Sequence, residues 1–311
     1  MNIDQVYDEL YGVIDKNKAA DAATQNKVAA LEETVSTQGT TIATHTGQIA
    51  ALQEAIPEVP GRQLKLVDLG TEYTQELKED IYTGAFEKAV VGGYLTLNDH
   101  VYIFAHPDYW YNTGRLVACN THHMLVIPAT YLGEGMMNLT ATTDGGYLGC
   151  DMYAGHEDTT DPENPVYVDG ALQAVIDIIK NDFGDTNLLL KDELFSKTVS
   201  TGSITSWDWA STTVDIPSEI MVYGSSIWSS TPSYDSGMEK TQIKLFAERP
   251  DLINIYGKDW WLRNIVNANR FASVNYRGQA DRTNANTSLG IRPVFAIKGA
   301  PPETRTKKRK G

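Results

Sequence analysis

The residues that could do chemistry in this chain are first its histidines and carboxylates. His122 and His123 are adjacent, and His100 and His106 lie six residues apart. A zinc site needs several such rings converging on one point. Neighbouring residues of a strand face opposite ways, so His122 and His123 do not share a metal. Asp144, Asp151, Glu157, Asp158, Asp161 and Glu163 gather the oxygen ligands that calcium prefers. They lack the spacing of a calcium loop and read as an exposed acidic segment. Cys119 and Cys150 are the two cysteines. They are too few for a disulfide framework or a Cys-only zinc site, and are either free thiols or a single bridge. No Gly-rich phosphate loop, nucleophile elbow or persuasive pair of catalytic carboxylates is present. No repeat of the kind that builds a β-helical depolymerase is visible either. The expectation is a non-enzymatic protein with no catalytic residue, no bound metal and no cofactor.

The second kind of chemistry is recognition. Residues 264–289 carry Asn267, Asn269, Arg270, Ser273, Asn275, Tyr276, Arg277, Gln279, Asp281, Arg282, Asn284 and Asn286. Tyr and Arg supply contact area and strong hydrogen bonds, and Asn and Ser supply adaptable ones, as in binding loops. Phe271–Tyr276 alternates over a short stretch, and Arg277-Gly278 reads as a turn. These twelve residues are the expected ligand surface, a polar-aromatic loop. A second aromatic stretch, His106-Pro107-Asp108-Tyr109-Trp110-Tyr111, serves either the core or stacking on a sugar.

Such a surface needs elements to hold it. At the N-terminal end, a seam recurs at alternating steps of three and four from Tyr7 to Ile56, with a polar stretch at Asn17–Thr24. Beyond residue 24 the a positions are Val28, Val35, Ile42, Ile49 and Ile56, and the d positions are Leu31, Gln38, His45 and Leu52. A repeat of 3.5 residues requires a helix to supercoil with partner helices to cover its seam. Gln38 and His45 are polar layers that fix register and strand number at some cost in stability. Gly39 and Gly47 each weaken the helix by roughly 1 kcal/mol. Pro57, Pro60 and Gly61 end it. The seam resembles the trimeric stalks of viral fibres and adhesins, which implies a homotrimer.

After Gly61 short β-rich runs alternate with Gly, Asn, Asp and Ser clusters. Strands are expected at Leu64–Leu69, Tyr94–Leu97, His100–Ala105, His123–Ile127 and Ile291–Ile297. Helices are expected at Thr74–Lys88, Ala171–Lys180 and, as a short third, Asp192–Ser200. The fold class is therefore α+β: an N-terminal parallel coiled coil, then irregular antiparallel strands with long loops. The divisions are 1–57 as stalk, 58–84 as linker and connecting helix, 85–299 as binding domain and 300–311 as basic tail.

The chain carries 26 Lys and Arg against 40 Asp and Glu, a net charge of −14. An acidic surface repels phosphate, so nucleic acid is not an expected partner. Arg305, Lys307, Lys308, Arg309 and Lys310 in the tail read as a solvated terminus. No apolar run reaches the roughly 18 residues of a membrane span. Met1-Asn2-Ile3-Asp4 opens without an apolar segment, so no secretory signal is expected.

Gly145-Gly146-Tyr147-Leu148-Gly149, Met221–Ser225, Asp259-Trp260-Trp261-Leu262-Arg263 and Gly290-Ile291-Arg292-Pro293-Val294-Phe295 occur in this order. Together they resemble the C-type-lectin-like domains of phage and prophage surface proteins, over roughly residues 85–299. Some of that group are targets of diversity-generating retroelements, whose variable region would correspond to residues 264–289. The resemblance implies a tail fibre, head fibre or other decoration of a bacteriophage virion. Such a protein is made in the host cytoplasm and released by lysis. It anchors to other virion proteins through its N-terminus and adheres to a host surface glycan or protein. The competing reading is a structural capsid or tail decoration without a host ligand. Trp260–Leu262 would form a core strand against Ile291–Ile297, with Arg263 and Arg292 bracing the loops between. Formylglycine-generating enzymes share the fold family, but their chemistry needs C-terminal cysteines, and none follows Cys150. The calcium-binding triplets of animal lectins are not matched by Pro162-Glu163-Asn164-Pro165 or Trp207-Asp208-Trp209.

Overall fold

The seam and the β-rich region fall into two units, Met1–Arg62 and Gln63–Gly311. The computed structural model describes residues 13, 16–18, 20–22, 24–31, 33–39, 64–115, 118–229, 241–255 and 257–302. In the first unit every described residue is helical and exposed. The seam residues Val28, Leu31 and Val35 are 49%, 63% and 66% exposed. Gln38 lies on the same helical stretch, while Ile42, His45, Ile49, Leu52 and Ile56 fall outside the described residues. Among the described residues no helix is long and apolar enough to cross a membrane.

The second unit is a mixed α+β fold with mostly antiparallel sheets. Its central strands are apolar over most of their length because both faces are covered. β1 (Val67–Asp68), β2 (Gly93–Leu97), β3 (His100–Pro107), β4 (His123–Pro128), β15 (Val294–Lys298) and β10 (Val214–Asp215) form one sheet in the order β1-β2-β3-β4-β15-β10. Only β1 and β2 pair in parallel there. Along β3, β4 and β15 alternate side chains enter two different cores. Tyr102, Phe104, Met124, Val126, Phe295 and Ile297 face one of them. Ile103, Ala105, Leu125, Ile127, Val294 and Ala296 face the other.

Helices α1 (Gln75–Thr83) and α3 (Ala171–Phe183) close the first core. In α1 the Thr74 hydroxyl accepts from Leu77 N at 3.3 Å, and Gly84 ends the helix in the left-handed region. Leu77 and Ile81, four residues apart, share its buried face. In α3 the buried stripe is Leu172, Val175, Ile179 and Phe183. A one-turn helix, α2 (Asp151–Ala154), adds Met152 to the same core. Two short helices, α4 (Glu219–Tyr223) and α5 (Lys244–Glu248), line the second core through Met221, Val222, Leu245 and Phe246.

A second sheet runs in the order β13-β12-β11-β14-β5, built from β13 (Ala280–Asn284), β12 (Arg270–Val274), β11 (Trp260–Asn267), β14 (Leu289–Ile291) and β5 (Gly133–Gly135). Two ribbons complete the unit: β6 (His156–Asp158) with β7 (Val166–Val168), and β8 (Lys191–Ser200) with β9 (Ser203–Thr212).

Four expectations are corrected. Residues 192–200 form strand β8, not a short helix, because Lys191, Glu193 and Phe195 alternate into the interior. The expected strand Ile291–Ile297 is broken at Arg292-Pro293, where proline lacks a donor for a ladder, and its halves join different sheets. Trp260–Leu262 therefore does not pair with the last strand; Trp260 lies opposite Gly290 of β14, in parallel. Residues 64–84 belong to the globular unit and not to a linker, since β1 pairs with β2 and Leu77 and Ile81 are core residues. Of the tail 300–311, residues 303–311 lie outside the described residues.

Candidate ligand-binding surface

The expected binding tract is a β-meander more than a loop. β11 and β12 are antiparallel neighbours, and β12 pairs with β13 from Arg270↔Asn284 to Val274↔Ala280 without a break in register. Trp260, Trp261, Leu262, Ile265, Phe271, Ala272 and Val274 are buried, so the tract is anchored on both faces by the cores. The polar residues sit on the free margin. Asn269, Tyr276, Arg277, Gln279, Arg282, Asn284 and Asn286 are exposed, and Asn267, Arg270, Asn275 and Asp281 are half-buried. Ser273 is the exception. It is fully buried and its hydroxyl bonds Thr283 Oγ1 at 2.9 Å, so it holds the strands together and does not face outward.

Asn275 builds the turn at the tip. Its Oδ1 accepts from Arg277 N at 2.9 Å and from Gln279 N at 3.1 Å. Gly278 follows with φ +78°, and an added Cβ would press on Asn254. Asp259 Oδ1 accepts from Tyr276 N at 2.8 Å and ties the turn back to the root of β11. Tyr276 remains half exposed with the Arg277 guanidinium over its ring at 5.1 Å. At the other hairpin Asn267 Oδ1 accepts from Asn269 N at 3.1 Å. Arg270 Nε donates to Asn284 Oδ1 at 3.1 Å across the strand pair.

Sequence reasoning missed Trp228. Its ring lies under the Arg282 guanidinium at 4.4 Å. Glu219 fixes the segment that carries it: this fully buried carboxylate accepts from the backbone N–H groups of Ile227, Trp228 and Ser229. A lone tryptophan within Ser225–Ser230 was the available signal. Arg263 and Arg292, expected to brace the loops between β11 and the last strand, are both buried but bond to groups outside residues 264–291. Arg292 is buried and donates from Nε to Pro128 O at 2.9 Å and from Nη1 to Leu252 O at 2.8 Å.

Arg263 enters a buried charge cluster that was not foreseen. Its Nη1 donates to Asp215 Oδ2 and, at 3.3 Å, to Glu193 Oε1. Lys191 pairs with Glu193, Tyr147 donates its hydroxyl to Asp215, and Trp110 Nε1 donates to Glu193 at 3.2 Å. All six residues are at most 4% exposed. Two cations balance two carboxylates, which is how charge survives burial. Burial alone would raise Glu193, but Lys191 and Arg263 hold it below the usual carboxylate range. For Asp215 burial outweighs Arg263 and the carboxyl sits above that range. The free space beside the cluster is about 10 Å³, room for one water and no substrate. The cluster pins β8, β10 and β11 together beneath the meander.

The other candidates resolve into structure. Tyr109 and Trp110 are core residues. His123 is fully buried; its Nε2 accepts from Trp110 N at 3.0 Å, while Nδ1 meets Thr121 O at 2.8 Å. His122 points away, stacking on Tyr111 and meeting Asp108 at 2.7 Å. Asp151, Asp158 and Asp161 each accept a nearby backbone N–H. Among the described residues no group of three or more His, Cys, Asp or Glu is placed to hold a metal. Cys119 and Cys150 are both free thiols, and burial pushes Cys150 up to about 12. A polar cleft of about 280 Å³ lies between Thr71, Lys78, Asn98 and Asn187. At its wall Asp182 Oδ2 accepts from the Tyr102 hydroxyl and lies 2.7 Å from His100 Nδ1.

Residues 218–299 match a family described as Domain of unknown function (DUF6273). No curated protein and no solved structure matches the chain. The matched stretch begins at Ser218, the cap of α4, and holds Glu219, Arg263, Arg292 and the whole meander. It is not a closed fold by itself: β15 needs β4 and β10, β14 needs β5, and Arg263 needs Glu193 and Asp215.

Proposed function

We propose that this chain is a non-enzymatic viral fibre or decoration protein. In this reading the unit from Gln63 is a C-type-lectin-like head that binds a host surface ligand through the free margin of β12 and β13. The observation that carries it is the division of labour within residues 260–286. The apolar half is locked into two cores, while Arg282 and Asn284 stand outside on β13 and Tyr276, Arg277 and Gln279 on the hydrogen-bonded turn before it. Rigid elements bearing Tyr, Arg and Asn suit recognition, because little side-chain freedom is lost on binding.

The helical seam supports the other half of the reading. Val28, Leu31 and Val35 are apolar, heptad-spaced and exposed in the single chain. Three parallel copies would cover them and present three heads, so that weak sites combine by avidity. In this reading the N-terminal end attaches to other virion proteins, and the protein resides on the virion surface.

The test is binding of the full chain to host cells. Tyr276→Ala or Arg277→Ala should weaken binding while leaving the melting temperature unchanged. Equal loss of folding and binding would make these residues structural. Unchanged binding would move the ligand surface elsewhere.

A further inference from the structure

We infer that the ligand of this surface carries oxyanions, and that Arg270, Arg282 and Arg277 form a ladder that reads them on an acidic glycan. The inference rests on the ligand-binding reading given above and names its chemistry.

Register places the ladder. Arg270 lies opposite Asn284 and Arg282 opposite Ala272, so Arg270 and Arg282 are diagonal neighbours on one face of the hairpin. Diagonal partners of an antiparallel pair are about 7–8 Å apart. Arg277 stands in the turn beyond the last paired residues, Val274 and Ala280. At a rise of about 3.3 Å per residue the three guanidinia spread over roughly 15–20 Å of one hairpin.

Three of the other described arginines of the unit are used internally, while Arg115, exposed and likewise without a carboxylate within 4.0 Å among the described residues, lies outside the hairpin. Arg249 pairs with Asp251, and Arg263 with Glu193 and Asp215. Arg292 is saturated by carbonyls. Among the described residues none of Arg270, Arg277 and Arg282 has a carboxylate within 4.0 Å, although the chain carries 40 Asp and Glu. Each is nevertheless held. Arg282 lies on Trp228, Arg277 on Tyr276, and Arg270 by Nε on Asn284. A guanidinium stacked on a ring, or bonded through Nε alone, keeps N–H groups pointing outward in the fork that grips a carboxylate, sulfate or phosphate. Trp228 is itself fixed through Glu219, so the partner of Arg282 is preorganised. Exposed or half-buried and without counter-ions, the three keep their charge and free N–H groups for an incoming anion. A glycan fits better than nucleic acid, because the net charge of −14 repels a continuous phosphate backbone but tolerates isolated acid groups.

The full chain is tested by biolayer interferometry on polygalacturonate, dextran sulfate, polyphosphate, duplex DNA and neutral dextran, at low and high salt. Polygalacturonate or dextran sulfate should bind, more weakly at high salt, and neutral dextran should not; binding of polyphosphate alone overturns the inference. Arg277→Gln should lower affinity about ten-fold, and the triple variant R270Q/R277Q/R282Q should abolish binding at an unchanged melting temperature. Exposed Lys65→Gln, outside the ladder, should have no effect. The three anionic polymers separate a carboxylate from a sulfate or phosphate source. Anionic binding that survives the triple variant overturns the inference, as does preference for DNA. Host-cell binding that Tyr276→Ala removes and the triple variant keeps also overturns it, while leaving the ligand surface where it is. Host-cell binding that neither variant changes defeats both readings.

Discussion

Replacing Arg263 with Met removes one cation from a buried set of two cations and two carboxylates. The methionine occupies much of the arginine stem, so packing loss is small. What remains is Lys191 facing both Glu193 and Asp215, all inside the fold. Deleting one partner of a buried ion pair costs about 3–5 kcal/mol, because the other charge is left uncompensated. For a unit of this size each kcal/mol moves the melting temperature by about 2–4 °C, so a fall of roughly 6–20 °C is expected at neutral pH. The pH dependence identifies the cause. Asp215 already sits above the usual carboxylate range, and losing Arg263 raises it further. Between the ordinary value and the raised one, the folded variant holds a proton that the unfolded chain has released. Stability of the variant then rises as pH falls through that window, and its deficit against the native chain narrows. Calorimetry at pH 7 and pH 5 measures both effects. Adding Asp215→Asn should recover part of the loss at pH 7. A shift below about 2 °C at neutral pH, or a deficit that does not narrow on acidification, would refute the account of this cluster as a mutually dependent set.

Burial lowers His106 from 6.5 to about 4, so the unfolded chain takes up a proton first as pH falls. Stability contributed by the neutral ring is present above about pH 6.5 and is lost towards pH 4; His106→Gln should flatten this part of a melting-temperature profile. At Gly299 a Cβ would overlap Tyr82 N and Lys78 O, where the chain after β15 crosses α1. Gly299→Ala should cost about 1–3 kcal/mol in urea unfolding, whereas Gly70→Ala, with open space around it but a positive φ, should cost less. If the seam associates as proposed, the full chain should sediment as a trimer and a chain lacking residues 1–57 as a folded monomer by analytical ultracentrifugation. A trimeric deletion product would move the association surface into the globular unit.

The elements that could be read from the sequence are those whose partners are local. α1 and α3 carry their apolar residues at helical spacing, and α1 supplies its own Thr74 cap and Gly84 stop. β2, β3 and β4 are apolar runs that make sense wherever they pair. Trp260–Leu262 had to be core for its bulk alone, and Arg292 had to be satisfied by carbonyls once buried. The exposed positions of the meander were legible for the same reason: Tyr276, Arg277 and Arg282 are expensive to bury and lie outside.

The misread elements depend on partners far along the chain. Lys191–Ser200 carries charges at helical intervals, and taking those charges as solvent-facing gives a helix. Lys191 and Glu193 face inward, because Arg263 and Asp215 arrive 72 and 24 residues after Lys191 to complete their cluster, while Lys197 stays outside on Asp208, and only then does the strand period fit. β13 has the opposite problem. Ala-Asp-Arg-Thr-Asn has little strand propensity, and the turn chemistry of Asn275 and Gly278 made the whole tract look like loop. It is a strand because β12 offers it a ladder, and among the described residues it forms the edge of its sheet, where polar side chains are tolerated. An edge strand of this composition resists further pairing through its charges, which is a way for a sheet to end without aggregating. The same charges are what leave Arg270 and Arg282 projecting without counter-ions. The feature that hid the strand from sequence reasoning is thus the one that makes its margin available to a ligand.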